Sequence, residues 1–259
     1  MTAGRGSDAV LVLPSAGPDP IPLPTALAAV LGYARGRRPL FFRSPSQPQG
    51  RWVEVLAYAL DRFDGQAPET ADRPTDRDVL VAEGLHGRLD PAAWREVRGT
   101  LDDVWPLVRT MLDRAAGRPM WELPDDEFSV LGEPGTVGAA LRTLTGSPGA
   151  RHVVAALHSR YPGLVPLVDG VTRRQLYGHV SEGDSGPEAV VHRELTANAA
   201  AFASLETATA ALIGRPLTRL RLHDVLLWLS GSLRMTHAVA VGRALAADSE
   251  QGLDALLPA

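Results

Sequence analysis

The chain has 259 residues, 45% of them apolar and 22% charged, with a formal net charge of −4, which is an ordinary globular composition with enough apolar material for a sizeable core. It contains neither Cys nor Lys, so all 26 positive side chains are Arg. This excludes a thiol nucleophile, a disulfide framework, a thiolate metal site, an iron–sulfur cluster, a lysine Schiff base and a P-loop lysine. The acidic balance also argues against a dedicated sequence-independent nucleic-acid binder, whose signature is a basic excess, and leaves only local Arg patches for such a role.

Residues 1–24 are rich in Pro and Gly and predict an irregular N-terminal arm with one short strand at 9–13, too short for a signal segment or a membrane span. A helix is expected from Pro24 and Thr25 to just before Gly36. Residues 37–50 read as a loop with a short extended piece at "PLFF". Residues 51–65 then show apolar residues at Val53, Leu56, Ala57 and Leu60, a helical spacing that stops at Gly65. Thr75 and Asp78 form a capping box for a short helix. Asp90 caps, and Pro91 opens, the first of two helical pieces in 90–117. An acidic turn follows at 123–128, then a helix near 137–144. Further helices are expected at 150–160, after Asp169, and near 188–200, 204–213 and 222–234. No segment alternates strictly at period two, so the fold class is all-α. The domain reading is an arm (1–24), one helical body (25–245) with a hairpin at 144–150, and a loose tail (246–259).

"ALRTLTGSPGARHVVAALHSRY" supplies helix, hairpin and helix, and "LVPLVDGVTRRQL" places a carboxylate, Asp169, at the start of the next helix. This order resembles the helix-hairpin-helix DNA glycosylases. The segments "PTDRDVLVAEGL", "RYPGLVPLVDGV" and "LRLHDVLLWLSG" are similar to a family known as domain of unknown function 6308, common in actinobacteria, over roughly residues 52–234. The glycosylase resemblance implies DNA as partner, with Asp169 as the catalytic group. It implies DNA contacts from Gly146, Ser147, Gly149 and Arg151 at the hairpin, and from Arg173 and Arg174 after Asp169. Pro148 within the turn removes one of the backbone donors that such a hairpin offers to phosphate. Without Lys, only monofunctional base excision remains, in which a flipped nucleotide passes through a cationic sugar stabilised by a carboxylate. From the residues alone Asp169 reads first as the N-cap of the helix it precedes, a role compatible with the catalytic one.

Other candidates have structural readings. His223 and Asp224 are neighbours on one helix and point to different sides, with Leu222, Val225, Leu226, Leu229 and Trp228 read as core. His152 and His158, six apart, lack a metal-site spacing, and no metal or cofactor is expected. The carboxylates at 102–103 and 125–127 read as solvated faces. "RGRR" at 35–38 and "TRRQ" at 172–175 are the basic patches. "GEPGTVG" at 132–138 lacks the flanking strand of a dinucleotide site and reads as a loop into a helix, with Thr136 as a cap. The expectation is a cytoplasmic protein, not membrane-associated, that resembles a DNA glycosylase with monofunctional or lost excision activity. The alternatives are a non-catalytic accessory protein, or a repurposed enzyme of small-molecule secondary metabolism.

Overall fold

In the computed structural model, which describes residues 9–58, 60–66, 71–130, 133, 138, 149–247, 253 and 257, the chain is mostly helical. Strand β1 (Val10–Leu11), inside the stretch expected to be extended, pairs antiparallel with β2 (Ile21–Pro22). The arm is sewn to the body by polar groups placed far along the chain. Asn198 accepts the Val12 N–H at 2.8 Å and donates to the Val12 carbonyl at 2.9 Å. Buried Glu194 accepts the Ser15 N–H (2.9 Å), the Ser15 hydroxyl (2.6 Å) and the His223 Nε2–H (2.7 Å). Leu11 and Leu13 are buried beside these bonds.

Helix α1 (Leu23–Arg35) runs as predicted, with Pro in its first turn and Gly36 past its end. It is apolar nearly all round because it lies inside the core. The next segment corrects the sequence reading. Residues expected to be a loop and then a helix form a hairpin of β3 (Arg37–Ser44) and β4 (Gln47–Leu56). The spacing of Val53, Leu56 and Ala57 suits a helix, but cross-strand pairing takes these residues instead. Strict alternation is missing because both faces of the hairpin are largely in solvent, so neither face selects apolar residues. Only α2 (Leu60–Phe63) of the expected helix is helical.

Local capping signals place the next helices. Helix α3 (Asp76–His86) starts at the Thr75–Asp78 box. Helix α4 (Pro91–Ala115) starts at Asp90, whose carboxylate accepts the N–H groups of Ala92 and Ala93. It is one helix, not two pieces. Val97, Leu101, Val104, Val108, Met111 and Ala115 form an unbroken buried stripe across Pro106. Burial along that stripe outweighs the hydrogen bond the proline removes. A 3-10 turn (Met120–Glu122) and α5 (Asp125–Val130) complete the acidic segment. The helix expected near 137–144 falls almost entirely outside the described residues.

Helix α6 (Ala150–Arg160) has the predicted bounds and opens at Gly149. That residue has φ of 82°, and a Cβ there would overlap the Val97 side chain, so both backbone and packing call for glycine. Then come α7 (Gly170–Tyr177), α8 (Pro187–Ala197), α9 (Ala199–Ile213), α10 (Arg219–Gly231) and α11 (Met235–Ala247). Helix α10 starts earlier than the periodicity suggests because the Thr218 hydroxyl caps it by accepting the Arg221 N–H. The sequence reading has no helix for α11.

Helix α1 packs most extensively on α11 and also meets α9 and α10, while α6 rests on α3 and α4, and α7 on α8 and α10. In the segment read as a loose tail, Ala246 and Leu257 are buried. The chain is therefore mostly helical but not all-α: the described residues include two small two-stranded sheets, one of them inside the segment read as the helical body. Among the described residues, no single helix is long and apolar enough to cross a membrane.

Candidate functional site

Aromatic residues make up only 5% of the chain, yet three of them meet at one cavity of about 260 Å³. Tyr33 comes from α1, Tyr58 from the turn after β4, and Trp228 from α10. The two tyrosine rings stack at 5.0 Å, and Trp228 meets each edge-on, at 5.9 Å from Tyr58 and 6.4 Å from Tyr33. Leu85 and His86 at the end of α3, Leu167 and Asp169 before α7, Val225 of α10, and Arg234 complete most of the wall.

Arg221 and Asp224 also line this cavity. Arg221 is buried, and its guanidinium donates to both oxygens of Asp64 (2.6 and 2.8 Å), to Asp224, and to the Tyr33 hydroxyl (2.8 Å). It also lies over the rings of Tyr33 and Phe63. One cation is thus shared by two carboxylates. Asp64 holds the bidentate geometry. Burial raises the Asp224 carboxyl to about 7 against the pull of Arg221, and the charges of Asp169 and Asp64 add to the rise. Burial likewise raises the Tyr33 hydroxyl to about 12. His86 is lowered to about 4, first by burial and then by the positive charge around it, including Arg151 and Arg221. At neutral pH it is an uncharged hydrogen-bonding ring.

Asp169 caps α7 and lines the cavity. Its Oδ1 accepts the N–H groups of Val171 (2.7 Å) and Thr172 (2.9 Å), while its own N–H donates to the Thr172 hydroxyl. This is a capping box for α7. All of these side-chain bonds converge on Oδ1, so capping does not occupy Oδ2, and the residue lines the cavity. Arg151 and Arg174 are exposed and Arg173 is half-buried. Gly149 is the N-cap of α6. Gly146 and Ser147 lie outside the described residues.

His223 and Asp224 do point apart, His223 to Glu194 and Asp224 to Arg221. Reading this helix as core alone misses that Asp224, Val225 and Trp228 face the cavity. Tyr33, Tyr58, His86, Asp64 and Arg221 are also missed, since their partners are brought together only by the packing of α1, α3 and α10. Arg221 and Asp224 stand three apart on one helix, but that spacing is not distinctive in a helix that also carries Arg219 and His223. His152 donates through Nε2 to the Gly87 carbonyl (3.0 Å). Among the described residues, no group of three His, Asp or Glu side chains is arranged to hold a metal.

His158 sits under this site, with its Nδ1–H donating to the Val165 carbonyl at 2.7 Å and its ring stacked on Phe63. Burial, helped by Arg221, lowers it from 6.5 to about 4. The unfolded chain therefore binds the extra proton at a higher pH than the folded one. The stabilising contribution is complete above 6.5 and is lost as pH falls through about 4. It amounts to at most about 3 kcal/mol. Urea midpoints measured at pH 7, 5.5 and 4 should fall progressively for the wild type and fall less for His158→Gln. Parallel curves for the two proteins would show that His158 does not contribute.

Neither a curated protein nor a solved structure matches the chain. Residues 53–231, from the end of β4 to the end of α10, match the family described as a family of unknown function, DUF6308; the match takes in every cavity residue named above except Tyr33 and Arg234, and the chain belongs to that family.

Proposed function

We propose that the protein binds DNA and receives one extruded base in the cavity beside Asp169, in the manner of a monofunctional, glycosylase-like protein. The observation that carries this reading is a carboxylate at the wall of an aromatic-lined cavity, with one oxygen committed to a helix cap and the other not. The cavity is a little smaller than the roughly 300–1,000 Å³ of drug-sized sites, so it suits a single ring system. Aromatic rings offer it apolar and stacking surface, and His86 and Asp224 offer hydrogen bonds at its edge. In the reaction the bond between sugar and base breaks, the base leaves with the electron pair, and water adds to the sugar cation and releases a proton to Asp169 or to solvent. Asp169 stabilises that cation or orients the water. An alkylated base is already positively charged and leaves without being protonated. Arg151, Arg173 and Arg174 supply phosphate contacts as a local patch, since a chain of net charge −4 has no general basic excess.

A second reading, a DNA-binding protein without excision, is favoured by the Arg221 cluster, in which the Arg221 and Asp224 charges of the cavity wall are already paired within the protein. One experiment separates them. Single-turnover release of free base from alkylated duplex DNA is expected for the wild type and should be lost in Asp169→Asn. The amide keeps the size and caps about as well as the acid but carries no charge. Asp169→Ala should also lose release, with about 1 kcal/mol of helix capping. Equal release by wild type and Asn would remove Asp169 from catalysis. Binding without release across several lesions would establish the second reading. Removing Arg173 and Arg174 together should weaken binding and reduce the salt dependence by about two phosphate contacts. No binding by the wild type at low salt would end both readings.

A further inference from the structure

The β3–β4 hairpin has no use in the site described above, and its surface is unlike the rest of the protein. Four arginines (Arg37, Arg38, Arg43 and Arg51) stand on it with a single acidic residue, Glu54, in a chain of net charge −4. Among the described residues none of the four pairs with a carboxylate. Between them the register sets Phe41 directly opposite Trp52, with the rings 5.3 Å apart and Arg43 over the Phe41 face. Gly50 leaves room for that ring, since a Cβ there would press into Phe41 and Arg43. Trp52 is nevertheless 70% exposed, and Leu40, Phe41 and Phe42 are also open to solvent. An isolated two-stranded ribbon with aromatic residues in water on both faces is marginal by itself, and exposed apolar surface of this kind marks a binding face.

We propose that this hairpin is a stacking platform for an unpaired nucleic-acid strand, with bases on Trp52 and Phe41 and phosphates on the flanking arginines. Interleaved aromatic rings and unpaired guanidiniums are what single-strand binding needs, because every base has a flat face and every linkage a negative charge. The tip of the hairpin is polar (Ser44, Ser46, Gln47 and Gln49), so the ribbon has no apolar end to drive into a lipid bilayer. β4 runs straight into Ala57 and Tyr58 of the cavity wall. Trp52 lies four strand steps, about 13 Å, before the end of β4 at Leu56, a few nucleotides' length, and the cavity-wall residues Ala57 and Tyr58 follow directly. The inference deepens the reading above: the preferred substrate is DNA whose strand is already unpaired next to the base entering the cavity.

The test measures fluorescence anisotropy of a labelled single-stranded 20-mer and of its duplex with wild type, Trp52→Ala, Trp52→Phe and the Arg173/Arg174 double variant. The wild type should prefer the single strand. Trp52→Ala should weaken single-strand binding at least about tenfold, a loss in the range of one base–aromatic stack, and Trp52→Phe should restore most of it. Trp52 is exposed, so the helical circular-dichroism signal should be unchanged in both Trp52 variants. If wild type and Trp52→Ala bind equally while the Arg173/Arg174 variant loses binding, the hairpin inference is overturned and the DNA reading stands. If no protein binds either DNA, both are overturned. Trp52-dependent binding to vesicles containing anionic lipid, without oligonucleotide binding, would overturn the inference in favour of a membrane surface. Trp52-dependent self-association without oligonucleotide binding would do so in favour of a second copy of the chain.

Discussion

Arg221→Leu is expected to cost about 3–5 kcal/mol, the usual effect of removing one partner from a buried ion pair. That is a large part of the roughly 5–15 kcal/mol that holds a domain folded. The leucine is apolar and suits the interior of α10, so burial of the new side chain is not the source of the loss. The loss comes from what is left behind. Asp64 and Asp224 are both buried and both depend on this guanidinium, and the Tyr33 hydroxyl loses a donor. Arg221→Lys should recover only part of the stability, because an ammonium cannot reproduce the planar fork that reaches Asp64 through two nitrogens and Asp224 through a third. The pH dependence identifies the cause. Without Arg221 nothing opposes the rise that burial gives the Asp224 carboxyl, so that group stabilises in acid and loses its contribution as pH rises through its folded-state value. The variant should therefore fall further below the wild type at pH 8 than at pH 5. Urea midpoints at the two pH values give the answer. A gap that is absent, or equal at both, would show that the cluster does not hold the site together.

Gly32→Ala and Gly242→Ala should each destabilise the protein, against the sign of helix propensity. Alanine in a helix interior is favoured over glycine by about 1 kcal/mol. At these positions α1 and α11 cross with backbone against backbone. A Cβ on Gly32 would overlap the carbonyl of Ala238, and a Cβ on Gly242 would overlap the carbonyl of Ala28. Neither obstacle is a flexible side chain, so the only relief is to part the helices along their most extensive contact. Overpacking a core costs about 1–3 kcal/mol, sometimes more, which exceeds the gain in propensity. The two substitutions act on one contact and should be non-additive, since the first separates the helices that the second would also push apart. Thermal unfolding of the two single variants and the double variant measures this. A rise in melting temperature for either single variant would contradict the close crossing. Tyr33 follows Gly32 directly, so displacement of α1 should also loosen the Tyr33–Arg221 bond and weaken any ligand of the cavity.

The features legible from the sequence are those decided by neighbours along the chain. Asp90, the Thr75–Asp78 pair and Asp169 act within a turn of their own position, and each caps the helix it precedes. The bounds of α6 could be read because its apolar spacing lies between a glycine and an aromatic–proline pair. Asp169 could be singled out because a carboxylate closing an apolar run is a local anomaly. Features decided by distant partners were not legible. Residues 51–56 have a spacing that fits helix or strand, and pairing with 37–42 settled it. Pro106 argues for a break in α4, and a buried stripe touching other helices overrode it. Arg221 is one arginine among 26 until the fold brings Asp64 to it across 157 residues. The cavity is a product of helix packing in the same way. Its aromatic rings come from three separate elements, and the identity of each is fixed by the sequence while their convergence is not. A capping hydrogen bond depends on a few dihedral angles, whereas a cavity depends on how every helix around it fills its share of the core.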